Sequence, residues 1–130
     1  MQVRIWGRRG SITTPGRETL RYGGESTCLE IRSGGRRIII DAGSGLRRLG
    51  QAMLKEGPGE PAVLLLTHAH WDHLAGFPFF RPAYRSGYRF HVCGGPEPQR
   101  QVLRYLRHQM EPPYFPARFV NLLIAVVIRA

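Results

Sequence analysis

The chain has 130 residues, 42% hydrophobic and 22% charged, a balance that excludes a disordered chain and suffices for one domain with a real core. The net charge of +10 is almost entirely arginine, Lys55 being the sole lysine. A surface of that sign attracts anions such as phosphate esters or nucleic acid. No run of five or more like charges marks a dedicated basic arm, so most arginines read as scattered surface charge.

Residues 2–6, QVRIW, alternate polar and apolar side chains as a half-buried strand does. The following stretch, 7–26, is rich in Gly, Ser, Thr and Pro. Loops of that length inside a compact domain are usually functional or disordered. Residues 27–32 (TCLEIR) and 36–41 (RRIIID) predict two strands joined by a short glycine-containing turn, hence a hairpin. AGSG then breaks the pattern. Leu46, Leu49, Met53 and Leu54 fall at helical spacing, with Gly57 as the stop. PAVLLLT, 61–67, is nearly continuous in apolar residues and predicts a strand covered on both faces.

Residues 77–84 (FPFFRPAY) form an apolar loop with two prolines, and 88–95 (YRFHVCGG) predict another strand. Residues 98–110 predict an amphipathic helix with Val102, Leu103, Leu106 and Met110 inward, ended by Pro112–Pro113. No internal repeat or linker interrupts the chain, so residues 1–130 read as one α/β unit. Cys28 and Cys93 form no CxxC or CxxH cluster and read as small buried hydrophobes without a disulfide. The N-terminus has charges where a signal peptide needs an apolar run, and the apolar stretch at 119–128 is too short to span a bilayer. A cytoplasmic protein without a membrane partner is expected.

The chemistry concentrates in LTHAHWDHLAGF, 66–77, which places His68, His70, Asp72 and His73 directly behind an apolar strand. Residues two apart in an extended segment point the same way, so His68 and His70 converge on one ion. Asp72 and His73 follow where the chain turns and face a second. Imidazole nitrogens with a carboxylate oxygen suit zinc, with iron or manganese as alternatives. Two such ions about 3.5–4 Å apart hold a bridging water and lower its pKa far enough to give hydroxide near neutral pH. The competing reading, separate loop histidines with Asp72 capping a turn, fails to explain four such residues within six positions.

THAHWDH also matches the HxHxDH signature of the metallo-β-lactamase superfamily. GSITTPG, YGGESTCLEIR, DAGSGLRRLG and HWDHLAGFPFFRPAY extend the likeness to about residue 118. Together they resemble a bacterial branch related to phosphoribosyl cyclic phosphate phosphodiesterases and, more distantly, to tRNA 3′-end nucleases. The resemblance implies half of a four-layer αβ/βα sandwich, a mixed β-sheet with flanking helices. It implies His68 and His70 on a first zinc, Asp72 and His73 on a second, and Asp72 as the catalytic residue oriented toward the nucleophilic water. Asp41, at a strand end, is then a support behind the ligands; the plainer reading makes it an Asx-turn or helix-cap residue. Ser11, Thr13 and Thr14 are potential phosphate donors, with turn formation the favoured role. Glu25 stands where the family commonly has Asn.

The family's later ligands, a His, a bridging Asp and a last His, are due in the second half of the fold. No Asp follows Asp72, and His91 and His108 come too soon after the signature. The chain therefore reads as an N-terminal half that is family-like to about residue 118, with 119–130 an atypical apolar tail. The expected activity is phosphodiester hydrolysis through a hydroxide bridging two metals, on a small phosphodiester. A tRNA 3′-end-type nuclease is the alternative, with nucleic acid the less favoured partner. A catalytically incomplete metal-binding fragment that needs its second half is the reading from another class. A homo-oligomer is compatible with all three.

Overall fold

The alternating segment at the N-terminus becomes the edge strand of a five-stranded sheet in a computed structural model, which describes residues 1–94 and 101–122. The strands are β1 (Gln2–Gly7), β2 (Cys28–Ser33), β3 (Arg36–Ile40), β4 (Ala62–Leu66) and β5 (Phe90–Gly94), side by side in that order. Helix α1 (Gly45–Glu56) lies between β3 and β4 in the chain, and α2 (Val102–His108) follows β5. β1, β2 and β3 pair antiparallel, whereas β4 runs parallel to β3 and β5 parallel to β4. The fold is thus mixed α/β.

The predicted hairpin closes through Gly34 and Gly35, with φ of 55° and 77°. Two successive positive φ values match the right-handed twist of the flanking strands, and glycine adopts them without steric cost. The parallel step from β3 to β4 requires a crossover, which α1 supplies. The step from β4 to β5 is made by residues 67–89, whose regular structure is short 3₁₀ turns: Trp71–His73, Phe77–Phe79 and Arg81–Tyr84. The apolar, proline-containing loop is therefore a chain of turns, and Phe77 and Phe80 are buried in it.

Pairing aligns the residues in rows across the sheet. Glu30, Ile39, Leu64 and Val92 form one row and are all buried. Leu46, Leu49 and Met53 of α1 belong to the same core, as do Phe77, Phe80 and Phe90. Each fully buried large apolar side chain there contributes about 1.5–3 kcal/mol. The opposite face carries Val3, Ile31, Ile38, Val63 and His91 in one row and Ile5, Leu29, Ile40, Leu65 and Cys93 in the next. These residues are half-buried or exposed, with Ile5 at 64%. β4 is accordingly not covered on both faces: Ala62, Leu64 and Leu66 are buried, while Val63 and Leu65 on the other side are only half-buried.

Glu30 is a charged residue on the buried side, fully enclosed. It accepts hydrogen bonds from Trp6 Nε1 at 3.0 Å, Arg32 Nε at 2.6 Å and Arg37 Nε at 2.8 Å. Both arginines reach on to Glu56 at the end of α1. Both cysteines are free; Cys28 is fully buried, and that burial, reinforced by Asp41 and Glu30, pushes its thiol pKa well up. Leu106 and Met110 are buried as the helical pattern predicts. The predicted start of that helix at 98–100, residue 95 of the last strand, the side chains of Val102 and Leu103, and the tail from 123 onward lie outside the described residues. No described helix is long and apolar enough to cross a membrane.

Candidate metal centre

The carboxyl ends of the neighbouring parallel strands β3 and β4 open onto one edge of the sheet, where α/β folds bind their ligands. Asp41 follows β3, Thr67 follows β4, and the His/Asp segment runs on from Thr67. His70 is extended, with φ −68° and ψ 149°, and leads into the turn Trp71–His73. The ring centroids of His68 and His70 lie 4.4 Å apart, as the same-side expectation requires, and those of His68 and His73 lie 4.0 Å apart.

Asp41 organises this cluster from below. One of its carboxylate oxygens, Oδ1, accepts the Thr67 N–H at 2.8 Å, and the Thr67 hydroxyl stands 2.9 Å from both. Its Oδ2 lies 2.8 Å from His73 Nδ1. A carboxylate only accepts, so the network assigns a proton to His73 Nδ1 and aims the Thr67 hydroxyl hydrogen at Asp41. The Thr67 oxygen then accepts from His68 Nδ1, 3.0 Å away. Both imidazoles are thereby held through Nδ1, and the lone pair of each falls on Nε2. Asp41 forms no helix cap: the N-cap of α1 is Ser44, which makes no side-chain capping bond.

His73 Nε2 lies 3.4 Å from Asp72 Oδ2. Asp72 does not cap a turn either; its Oδ2 accepts the backbone N–H of Ser11 at 2.9 Å, across 61 positions of sequence. Partial desolvation works against its ionisation, but the N–H groups of Ser11 and of Asp72 itself, with His73 and His70 nearby, hold the carboxyl below its ordinary value. The turn is fixed by backbone as well. Ala42 donates to the His73 carbonyl and Gly76 to the Ala42 carbonyl, each at 2.8 Å. A Cβ on Gly43 would stand 2.3 Å from the Asp72 carbonyl oxygen, so only glycine lets the two segments approach this closely.

The structure therefore brings His68, His70, Asp72, His73 and Asp41 to one place. His91 sits within β5, in the row of half-buried and exposed residues, and His108 ends α2 beside Glu111, 3.1 Å away. Thr14 bonds the Ile12 carbonyl, a turn role, and Thr13 is exposed. Thr67 and the Ser11 backbone N–H are the additions that sequence reasoning lacks. Glu25 accepts a short hydrogen bond from the Ser44 hydroxyl, and its carbonyl accepts the N–H groups of Arg8 and Arg9.

Three imidazoles and a carboxylate suit a borderline divalent cation such as zinc, and the Nδ1 anchoring leaves Nε2 of His68 and His73 as acceptors. In that sense the residues fit a metal, as pairs: among the described residues no three His, Cys, Asp or Glu side chains converge as a closed site. A cleft of about 500 Å³ lies at the far end of the sheet, beside the β2–β3 turn and Gly57–Glu60. Its Arg32 and Arg37 are already engaged by Glu30 and Glu56, and it holds none of the residues above.

The chain is 40% identical over 52 residues to ribonuclease Z of Bradyrhizobium sp. strain ORS 278 and 42% identical over 52 residues to ribonuclease Z of Bradyrhizobium diazoefficiens. Each match covers 38% of this chain and 16% of the relative, so the matched stretch spans about a sixth of those enzymes' length. A crystal structure from Thermotoga maritima assigned to the metallo-beta-lactamases aligns with 97% of this chain and 58% of its own, at 20% identity and a TM-score of 0.48. Residues 21–117, which include the whole His/Asp segment and Asp41, match the family model of the metallo-beta-lactamase superfamily, and the chain belongs to that superfamily.

Proposed function

We propose that this chain takes part in metal-dependent hydrolysis of a phosphodiester, with zinc the expected metal. The observation that carries the reading is the Asp41–Thr67 scaffold, which holds His68 and His73 through Nδ1, leaves Nε2 of each free of that scaffold, and sets His73 Nε2 3.4 Å from Asp72. His68 and His70 would hold one ion, and Asp72 and His73 a second. When bound, such ions lower the pKa of water and neutralise charge developing on phosphoryl oxygens. The chain's own contribution is positioning. Asp41 keeps His73 in one tautomer and raises its basicity as a ligand. The Ser11 N–H orients Asp72 and helps hold its carboxyl below the ordinary aspartate value, which favours the anion that binds a cation.

Catalytic zinc sites normally carry three protein ligands, so metal uptake is the first readout and turnover the second. The purified chain, loaded with zinc and freed of excess, should retain zinc and hydrolyse bis(p-nitrophenyl) phosphate. His70→Ala and Asp72→Ala should lose both properties. Absence of retained metal in the parent chain overturns the metal reading; retained metal without turnover overturns hydrolysis by this chain alone. The ribonuclease Z relatives favour a second reading within the same chemistry, in which the phosphodiester belongs to RNA.

A further inference from the structure

The 8–22 loop carries a concentration of arginine that the metal centre does not use. It holds Arg8, Arg9, Arg17 and Arg21 against a single acid, Glu18. The sheet's own Arg32 and Arg37 are neutralised by Glu30 and Glu56, whereas among the described residues none of the four loop arginines forms an ion pair. Two of them frame an aromatic ring. The Arg8 guanidinium lies 4.2 Å and the Arg21 guanidinium 4.9 Å from the centroid of Tyr22, which is 57% exposed.

The loop is stitched to the domain and to the centre. Arg8 and Arg9 donate their N–H groups to the Glu25 carbonyl, Thr14 donates to the Gly24 carbonyl, and Gly23 to the Thr19 carbonyl. The Ser11 N–H grips Asp72. Next to Asp72 stands Trp71, 64% exposed and absent from the core. Arg8, Arg17 and Arg21 are exposed, whereas Arg9 is half-buried and reaches Thr14 Oγ1 at 3.5 Å. Exposed cations beside an exposed aromatic face, fastened to a site for phosphodiesters, exceed what one small phosphodiester needs. They suit a polymer that repeats phosphate and base, because guanidiniums track a backbone while aromatic faces stack bases without regard to sequence.

We infer that the 8–22 loop and Trp71 form a binding site for a single strand of nucleic acid, with Arg8, Arg17 and Arg21 on its phosphates, Tyr22 holding the Arg8 and Arg21 guanidiniums in place, and Trp71 stacking a base. This names a substrate class for the phosphodiester reading and rests on it for the chemistry, but not for the binding.

The test is fluorescence anisotropy of a labelled oligouridylate of about twelve nucleotides with the chain kept metal-free in chelator, from about 50 to 200 mM salt. The parent chain should bind with a steep salt dependence. Arg8→Ala/Arg21→Ala should weaken binding about tenfold or more and flatten the log–log salt slope by roughly 1.4, since each single-strand phosphate contact contributes about 0.7. Arg8→Lys/Arg21→Lys should restore the slope. Trp71→Ala should weaken binding about tenfold with the slope unchanged, because a stacking face is lost and no charge. Arg36→Ala/Arg89→Ala, exposed at the far end of the sheet, should bind like the parent. Should Arg8→Ala/Arg21→Ala fail to fold, exposed Arg17→Ala reads the same slope change at half the size. An equal loss with Arg36→Ala/Arg89→Ala would show diffuse charge and overturn the inference. So would unchanged binding in the loop variants, or binding of phosphatidylglycerol vesicles without binding of the oligomer. Because metal is excluded, failure of the metal reading leaves this outcome untouched, and failure here leaves the metal-uptake result standing.

Discussion

Asp41 occupies a backbone conformation that few residues other than glycine adopt, with φ at 63°. Such a residue costs about 1–3 kcal/mol and persists only where its surroundings over-determine it. Here the surroundings are Thr67 and His73, both bonded to the one carboxylate. Ser11, the other non-glycine residue at positive φ among the described residues, with φ 65°, is likewise tied to the cluster through Asp72. Backbone strain in this fold is thus concentrated on the two residues that orient the proposed ligands. Asn tolerates the same φ, so Asp41→Asn should fold. Its Oδ1 still accepts from Thr67, but its amide N–H₂ would face His73 Nδ1. That ring must then keep a lone pair on Nδ1 and carry its proton on Nε2, the atom that faces Asp72. Zinc affinity, measured by competition against a chromogenic chelator, should fall about 10- to 100-fold with the folded spectrum unchanged. Unaltered affinity would remove Asp41 from the ligand-orienting role. Neither supporting contact could be read from the sequence: the Ser11 interaction is a backbone N–H reaching across the fold, and Thr67 looks like the last residue of a strand.

At the scale of elements, alternation identifies strands reliably and their facing poorly. β1 and β2 are strands as expected, yet β1 is exposed from Gln2 to Ile5 rather than half-buried, and in β2 Glu30 points toward the α1 side while Leu29 and Ile31 occupy the half-open face. Period two places side chains on opposite faces, but which face a helix covers depends on α1 and on the chain that follows it. The inversion is sustained by ionic bonds: Glu30 holds Arg32 and Arg37, and these hold Glu56 of α1. Burial by itself would raise the Glu56 carboxyl; the hydrogen bonds and charges of Arg32 and Arg37 outweigh it and keep the pKa below 4.5. A carboxyl with a depressed folded pKa contributes stability that is fully present above its unfolded value and is lost as pH falls through the folded value. Glu56→Gln should therefore lower the midpoint of thermal unfolding near neutral pH and flatten its decline below 4.5. A variant whose acid limb matches the parent's would show that the bridge between β2, β3 and α1 contributes nothing.

Across the whole molecule, local patterns suffice for the strands, the hairpin turn, α1 and the His/Asp segment, because each depends on periods of two or 3.6 or on consecutive residues. What depends on the sheet as a layered object does not show in those patterns. The continuous apolar run of β4 suggests burial on both faces, but its alternate residues differ sharply: Leu64 is 1% exposed, and Val63 beside it is half-buried. The same asymmetry runs through β3, where adjacent isoleucines stand on opposite faces. Ile39 is fully buried beneath the α1 layer, and Ile38 is 38% exposed in the row with Val3 and Ile31. Truncating Ile39 removes packed methylenes and leaves a cavity; truncating Ile38 removes atoms that already meet water. Ile39→Ala should cost about 2–4 kcal/mol and Ile38→Ala under about 1 kcal/mol in urea unfolding of the same chain. Equal costs would mean that the Ile38 face is packed in solution as tightly as the Ile39 face, and the single-sided core described above would be wrong.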